Sequence, residues 1–144
     1  MAAYADTSFL YALFLTDPNS AAAAAYVRKH RLALVFTSWQ RCELRNAMRL
    51  AVFRGHTDAA TTKAALAQVE RDQESGNLQE AHLSWPDTLA AADKIGDKHT
   101  ALLGIRTLDL LHIGAALSLG HKDFLTFDHR QRACAEAAGL RIGP

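Results

Sequence analysis

A parallel α/β fold is the architecture this sequence predicts, and three observations lead to it. Short apolar or β-branched runs, Ala2–Ala5, Leu32–Phe36 and Phe124–Phe127, alternate with longer segments of helical spacing. Strands separated by helices in this way pair in parallel through right-handed crossovers. The first and last of those runs stop at an aspartate, Asp6 and Asp128, and sites in such sheets gather outside the carboxyl ends of strands. No Pro/Gly/Ser-rich linker and no internal repeat divides the 144 residues, so a single domain over 1–144 is expected.

The elements follow in order. Ala2–Ala5 reads as a first strand, and Ser8–Leu15 carries Phe9, Leu10, Leu13 and Phe14 at helical spacing. Asp17-Pro18-Asn19-Ser20 is a turn whose last residue should cap the alanine-rich helix that follows. Leu32–Phe36 is the second strand. Ser38 is expected to cap a helix from Trp39 to about Arg54, stopped by Gly55. Thr57 or Asp58 caps the next helix, which runs to about Glu74, and Leu78–Ser84 is a weaker strand. Pro86 opens a helix through Leu89 and Ile95. Thr107 should cap a helix that is apolar nearly all round as far as Gly120, and therefore buried. Inside it, Gly114 stands where alanine would suit a helix better, so tight packing is expected there. Phe124–Phe127, a helix from about His129 to Ala138, and a last strand at Leu140–Ile142 complete the chain.

Composition narrows the function. An apolar fraction of 49% and a charged fraction of 22% are those of an ordinary globule. The opening Met-Ala-Ala-Tyr-Ala-Asp lacks the basic start of a signal peptide, and no apolar run is long enough to cross a bilayer. Cys42 and Cys134 form no Cys-x-x-Cys pair and read as reduced thiols of a cytoplasmic protein. Seven histidines without zinc-ligand spacing argue against structural zinc. A net charge of +1 excludes gripping nucleic acid by bulk charge, so any such contact is local.

Four acids carry the functional signal: Asp6, Glu43, Asp109 and Asp128. Asp6 and Asp128 each have a second reading as a helix cap, and Asp109 as a first-turn acid complementing the helix dipole. Glu43 is different, because it shares a mostly apolar stripe with Ala47 and Leu50 and needs a partner or an ion. Brought together by a parallel sheet, the four would form a carboxylate pocket for a hard divalent cation, as used in metal-assisted phosphodiester cleavage. Arg41, Arg45 and Arg49 form a stripe pointing away from Glu43 and read as a solvated face. Arg54 and Arg106 are better placed to meet a phosphate, or to pair with the acids. His112, one turn after Asp109, reads as a buried, hydrogen-bonded histidine rather than a metal ligand, with contacting substrate or orienting Asp109 as the alternative roles. No phosphate-binding Gly-rich loop, nucleophile elbow or His-Glu-x-x-His is present.

Four segments in order, Tyr-Ala-Asp-Thr-Ser-Phe-Leu, Cys-Glu-Leu-Arg-Asn-Ala, Arg-Thr-Leu-Asp-Leu-Leu-His-Ile-Gly-Ala-Ala-Leu and Phe-Leu-Thr-Phe-Asp-His-Arg-Gln, span nearly the whole chain. Together they resemble the PIN domain, most closely the VapC-type toxins of toxin–antitoxin pairs. The resemblance implies a three-layer α/β/α sandwich around a mainly parallel sheet. It implies Asp6, Glu43, Asp109 and Asp128 as the acidic quartet, with Thr7, Ser8 and Thr126 beside them. None of the four acids is replaced.

On that basis the expected activity is Mg²⁺- or Mn²⁺-dependent cleavage of RNA, leaving a 5′-phosphate and a 3′-hydroxyl. Asp6 and Asp109 are the expected principal metal ligands, with Glu43 and Asp128 completing the shell. The resemblance also implies a homodimer, a VapB-like antitoxin, and DNA binding only through the antitoxin complex. Two alternatives stay open: a non-catalytic, partner-binding module of the same fold, and a nuclease acting on DNA or flaps.

Overall fold

The computed structural model describes residues 2–144. Its five strands are β1 (Ala2–Ala5), β2 (Ala33–Thr37), β3 (Leu78–Ala81), β4 (Asp123–Leu125) and β5 (Arg141–Gly143). The helices are α1 (Thr7–Phe14), α2 (Ser20–His30), α3 (Ser38–Phe53), α4 (Ala59–Glu74), α5 (Trp85–Leu103), α6 (Thr107–Ser118) and α7 (His129–Ala137). The strands form one sheet in the order β3-β2-β1-β4-β5, parallel throughout.

Alternation along the strands builds two cores. Ala3, Ala5, Leu34, Phe36 and Leu125 face a cluster with Phe9, Leu10, Leu44, Met48 and Val69 from α1, α3 and α4. Tyr4, Val35 and Phe124 face the opposite cluster, with Ile95, Ile113 and Ala135 from α5, α6 and α7. A sheet buried on both faces between helical layers is the three-layer α/β sandwich that strand–helix alternation predicts.

The chain moves from β1 outward through β2 to β3, then returns to the other side of β1 for β4 and β5. The order therefore reverses at β1, and a crevice opens at the carboxyl ends of β1 and β4, the usual location of sites in such sheets. Asp6 follows β1 directly, and Thr126 to Asp128 follow β4.

Three expected caps lie one residue too late. Thr37, not Ser38, caps α3: its hydroxyl accepts from Gln40 N, while the Gln40 side chain accepts from Thr37 N, a capping box. Asn19 precedes α2 without a side-chain cap bond, because Ser20 spends its hydroxyl on Leu15 O and Asp17 N. Arg106, extended and without a capping bond, precedes α6, so Thr107 is the first helical residue. Asp58 caps α4, and β3 and β4 stop at Ala81 and Leu125, short of the expected Ser84 and Phe127.

The α5–α6 contact explains Gly114. A Cβ there would lie 2.7 Å from the Thr88 carbonyl oxygen and 3.0 Å from the Ala92 Cβ, so only glycine admits this approach. The middle of α6, His112 to Ala116, is buried, but its first turn is open and Leu108 is 58% exposed. Among the described residues no helix is long and apolar enough to cross a membrane.

Candidate active site

A cavity of about 440 Å³ lies at the carboxyl end of the sheet, and all four acids line it. Asp6 comes from the end of β1, Glu43 from the second turn of α3, Asp109 from the first turn of α6 and Asp128 from the cap of α7. Thr7, Ser8, Arg106 and His112 line the same cavity. Thr126 lies beneath it, fully buried. Arg54 lies outside it, at the far end of α3.

Asp6 is both cap and wall. Its Oδ1 accepts from Phe9 N at 2.8 Å, which caps α1, and Ser8 Oγ stands 2.9 Å from both carboxylate oxygens. Thr126 Oγ1 lies 2.7 Å from Oδ2. Burial raises the Asp6 pKa above its ordinary value despite these donors and the nearby His112.

Glu43 finds its partners across the cavity. Its Oε2 accepts from Thr7 Oγ1 and His112 Nε2, both at 2.6 Å. Burial pushes its pKa up, but the His112 hydrogen bond and charge, with Thr7, outweigh it and hold the carboxyl below its ordinary value. An ionised carboxylate only accepts, so Nε2 carries a proton toward Glu43, and Nδ1 lies 2.9 Å from Tyr4 Oη. Burial, then Glu43 and Asp6, drive the Tyr4 pKa well above normal, which keeps the phenol protonated. Trp39 stacks on the imidazole at 4.2 Å, with Trp85 edge-on behind it. His112 is thus the buried, hydrogen-bonded histidine that the sequence suggested, and of the two acids it contacts Glu43 and not Asp109, because both ring nitrogens are already engaged.

Asp109 accepts from Arg106 Nε at 3.3 Å, an exposed pair of small energetic weight. Asp128 Oδ1 caps α7 by accepting from Gln131 N at 2.7 Å. The buried Gln131 side chain then reaches Asp109 O through Nε2 and Thr126 Oγ1 through Oε1. Gln131 therefore ties the segments bearing Asp109 and Asp128 directly, and that of Asp6 through Thr126. Its sequence signal was legible: Asp128-His-Arg-Gln131 has capping-box spacing. Tyr4 and Trp39, which fix His112, had no such signal.

The lining suits a hard divalent cation, offering carboxylates and hydroxyls and no thiol. As the side chains lie, each acid is turned to a protein partner, and no three carboxylates, imidazoles or thiols among the described residues are grouped closely enough to hold an ion. Arg45 and Arg49 face solvent as expected. Arg41 does not, since it bonds Gln73 at 2.8 Å and lies 5.5 Å over the Phe36 ring. Cys42 and Cys134 are both free.

Sheet order, switch point and acid-lined crevice together define a three-layer α/β domain with an acidic cleft outside the carboxyl ends of its strands. The chain belongs to the PIN domain family, whose profile matches residues 3–137. PIN domains are typically nucleases and generally use divalent metal ions. Among solved structures, the chain is similar to FitAcB from Neisseria gonorrhoeae at 14% identity and a TM-score of 0.61. The likeness covers 100% of this chain and 97% of that chain, and at this identity it speaks for the fold alone. No curated protein matches the chain significantly.

Proposed function

We propose that this chain, as a single domain over residues 1–144, is a metal-dependent endoribonuclease and the toxin of a VapBC-type toxin–antitoxin pair. The observation that carries the reading is the convergence of Asp6, Glu43, Asp109 and Asp128, from four separate segments, on one cavity. Membership of the PIN family supports the nuclease part. The resemblance of the four sequence segments to VapC-type toxins supports RNA as substrate, a VapB-like antitoxin as partner, a homodimer, and the cytoplasm as location. DNA would be met only through the antitoxin complex.

The four carboxylates would hold Mg²⁺ or Mn²⁺, with Asp6 and Asp109 as principal ligands. When bound, such an ion supplies a water of lowered pKa and charge stabilisation at the phosphate. The chain's own residues prepare the rest. Thr7 and His112 hold Glu43 ionised and fixed in direction, so the acid needs no rearrangement at the moment of reaction. Arg106, 79% exposed at the rim, places a positive charge where the substrate phosphate enters. Ser8 and Thr126 keep Asp6 in one rotamer.

The test is cleavage of total RNA from the native host by purified protein, with 5′ ends mapped. Products bearing 5′-phosphates, lost in EDTA, restored by Mn²⁺ and absent with Asp109→Asn, are expected. Cleavage that survives chelation overturns the metal mechanism. Intact RNA with folded, antitoxin-free protein moves the binding-module and DNA-nuclease readings ahead.

A further inference from the structure

A second groove, of about 770 Å³, adjoins the acid cavity and shares Thr7, Ser8 and Arg106 with it. It runs between α1 and α3. Along α3, Glu43, Ala47, Leu50 with Ala51, and Arg54 follow at helical spacing on one face, the acid at one end and the arginine at the other. At about 1.5 Å per residue the stripe is about 16 Å long, more than one nucleotide occupies. On α1, Tyr11 stands one turn beyond Thr7 and Ser8 on the same wall.

The chemistry of this groove is the reverse of the cavity it leaves. Arg54 and His56 line it, both exposed, and no ion pair or side-chain hydrogen bond engages either among the described residues. Arg106 stands at the junction. The opposing carboxylate is Asp17, whose Oδ1 accepts from Asn19 N at 2.7 Å. Tyr11 is half-buried, and its hydroxyl makes no hydrogen bond among the described residues. Burial, then Asp17, hold that phenol above its ordinary pKa, so it stays a donor with an intact ring face.

A track with an unpaired arginine, a histidine and an aromatic ring, leading away from an acid cavity, matches single-stranded nucleic acid. Cations follow the backbone, and rings stack on bases without regard to sequence. A chain of net charge +1 must concentrate its nucleic-acid contacts locally, and here Arg54 lines a groove that continues from the acid cavity. We propose that this groove carries the single-stranded RNA flanking the scissile phosphate, with Arg54 and His56 on the backbone and Tyr11 under a base. The proposal rests on the ribonuclease reading and adds to it a direction: the strand leaves the acids along α3 toward Arg54.

The experiment compares wild type, Arg54→Glu and Tyr11→Leu, using fluorescein-labelled random oligoribonucleotide pools of about 2 nucleotides, too short to run from the acids to Arg54, and about 20 nucleotides. Binding is measured in EDTA over a range of salt, and cleavage of the long pool is followed in Mn²⁺ alongside. The Arg54 side chain has no partner among the described residues, so its replacement leaves the chain folded, and an unchanged Mn²⁺ affinity checks the acid site. Arg54→Glu is expected to weaken the long pool about tenfold and to flatten its salt dependence by about one unit of slope. The short pool should be unaffected. Tyr11→Leu should weaken the long pool with the salt slope unchanged. Wild-type affinity of Arg54→Glu for the long pool, or equal weakening of both pools, overturns the track while wild-type cleavage leaves the ribonuclease reading standing. Wild type that neither binds nor cuts either pool overturns both.

Discussion

His112 Nε2 and Glu43 Oε2 meet at 2.6 Å across 69 residues of sequence, and this contact joins the two helical layers over the end of the sheet. Glu43 sits on α3, packed on one face, and His112 on α6, packed on the other. The bond is directional because Tyr4 fixes the opposite ring nitrogen and Trp39 fixes the ring plane. Buried histidines with both nitrogens engaged orient the groups they touch, and such outer contacts weigh heavily at metal sites.

The first prediction separates that orienting role from mere packing. Glutamine places its amide nitrogen near Nε2, and asparagine its amide oxygen near Nδ1. His112→Gln should retain the donor to Glu43 and hold both cleavage and Mn²⁺ affinity within a few-fold of wild type. His112→Asn retains only the Tyr4 side and should lower both by about 10- to 100-fold. Calorimetric Mn²⁺ titration beside kcat and KM decides it. Equal behaviour of the two variants would reduce His112 to a space-filler.

The second prediction concerns pH, where two acids act with opposite signs. Asp6 has its native pKa raised above 3.8 by burial, so the folded state holds its proton longer than the unfolded state. Stability therefore falls as pH rises through the window between those values, and the penalty is full at neutrality. Glu43 is lowered below 4.5, so its contribution is complete above 4.5 and is lost as pH falls through its native value. At neutral pH in EDTA, Asp6→Asn should thus melt higher than wild type, and the gap should close as pH approaches the ordinary carboxyl range. The amide can be satisfied: it still caps α1, and Thr126 can accept from it while donating to Gln131. Mn²⁺ should raise the wild-type Tm and leave the variant unmoved. A variant that melts lower than wild type in EDTA at neutral pH would refute the sign.

Much of this fold was legible because helix and strand periods alternate cleanly, and because Asp6 directly follows β1 and Asp128 caps the helix after β4. The boundaries failed where a polar side chain had a stronger alternative. Ser20 looked like a cap but bonds Leu15 O, and Ser38 gave way to Thr37 because Gln40 completes a box only with Thr37. The acids were visible as isolated charges in apolar surroundings. Their connections were not, since His112, Tyr4 and Glu43 lie far apart in sequence and no local pattern announces a bond that tertiary packing creates. Arg41 was misjudged for the same reason, as its partner Gln73 belongs to a different helix.

The last prediction tests Gln131, which ties site segments together from beneath. Gln131 is fully buried, with Oε1 2.9 Å from Thr126 Oγ1 and Nε2 donating to Asp109 O at 3.0 Å. Thr126 has one proton and two neighbours able to take it, Asp6 Oδ2 and Gln131 Oε1, so the two acceptors are coupled through that hydroxyl. Leucine fills nearly the same volume but cannot make either contact. Gln131→Leu should lose about 1–3 kcal/mol of stability to denaturant, the usual cost of breaking buried hydrogen bonds on one side. It should also weaken Mn²⁺ binding by about tenfold, because Asp109 loses its tether to the β4–α7 segment. Asp128 keeps its own cap, which depends on the Gln131 backbone alone, so α7 itself should persist by circular dichroism. A variant with wild-type Mn²⁺ affinity and lowered stability would confine Gln131 to the fold and sever it from the site.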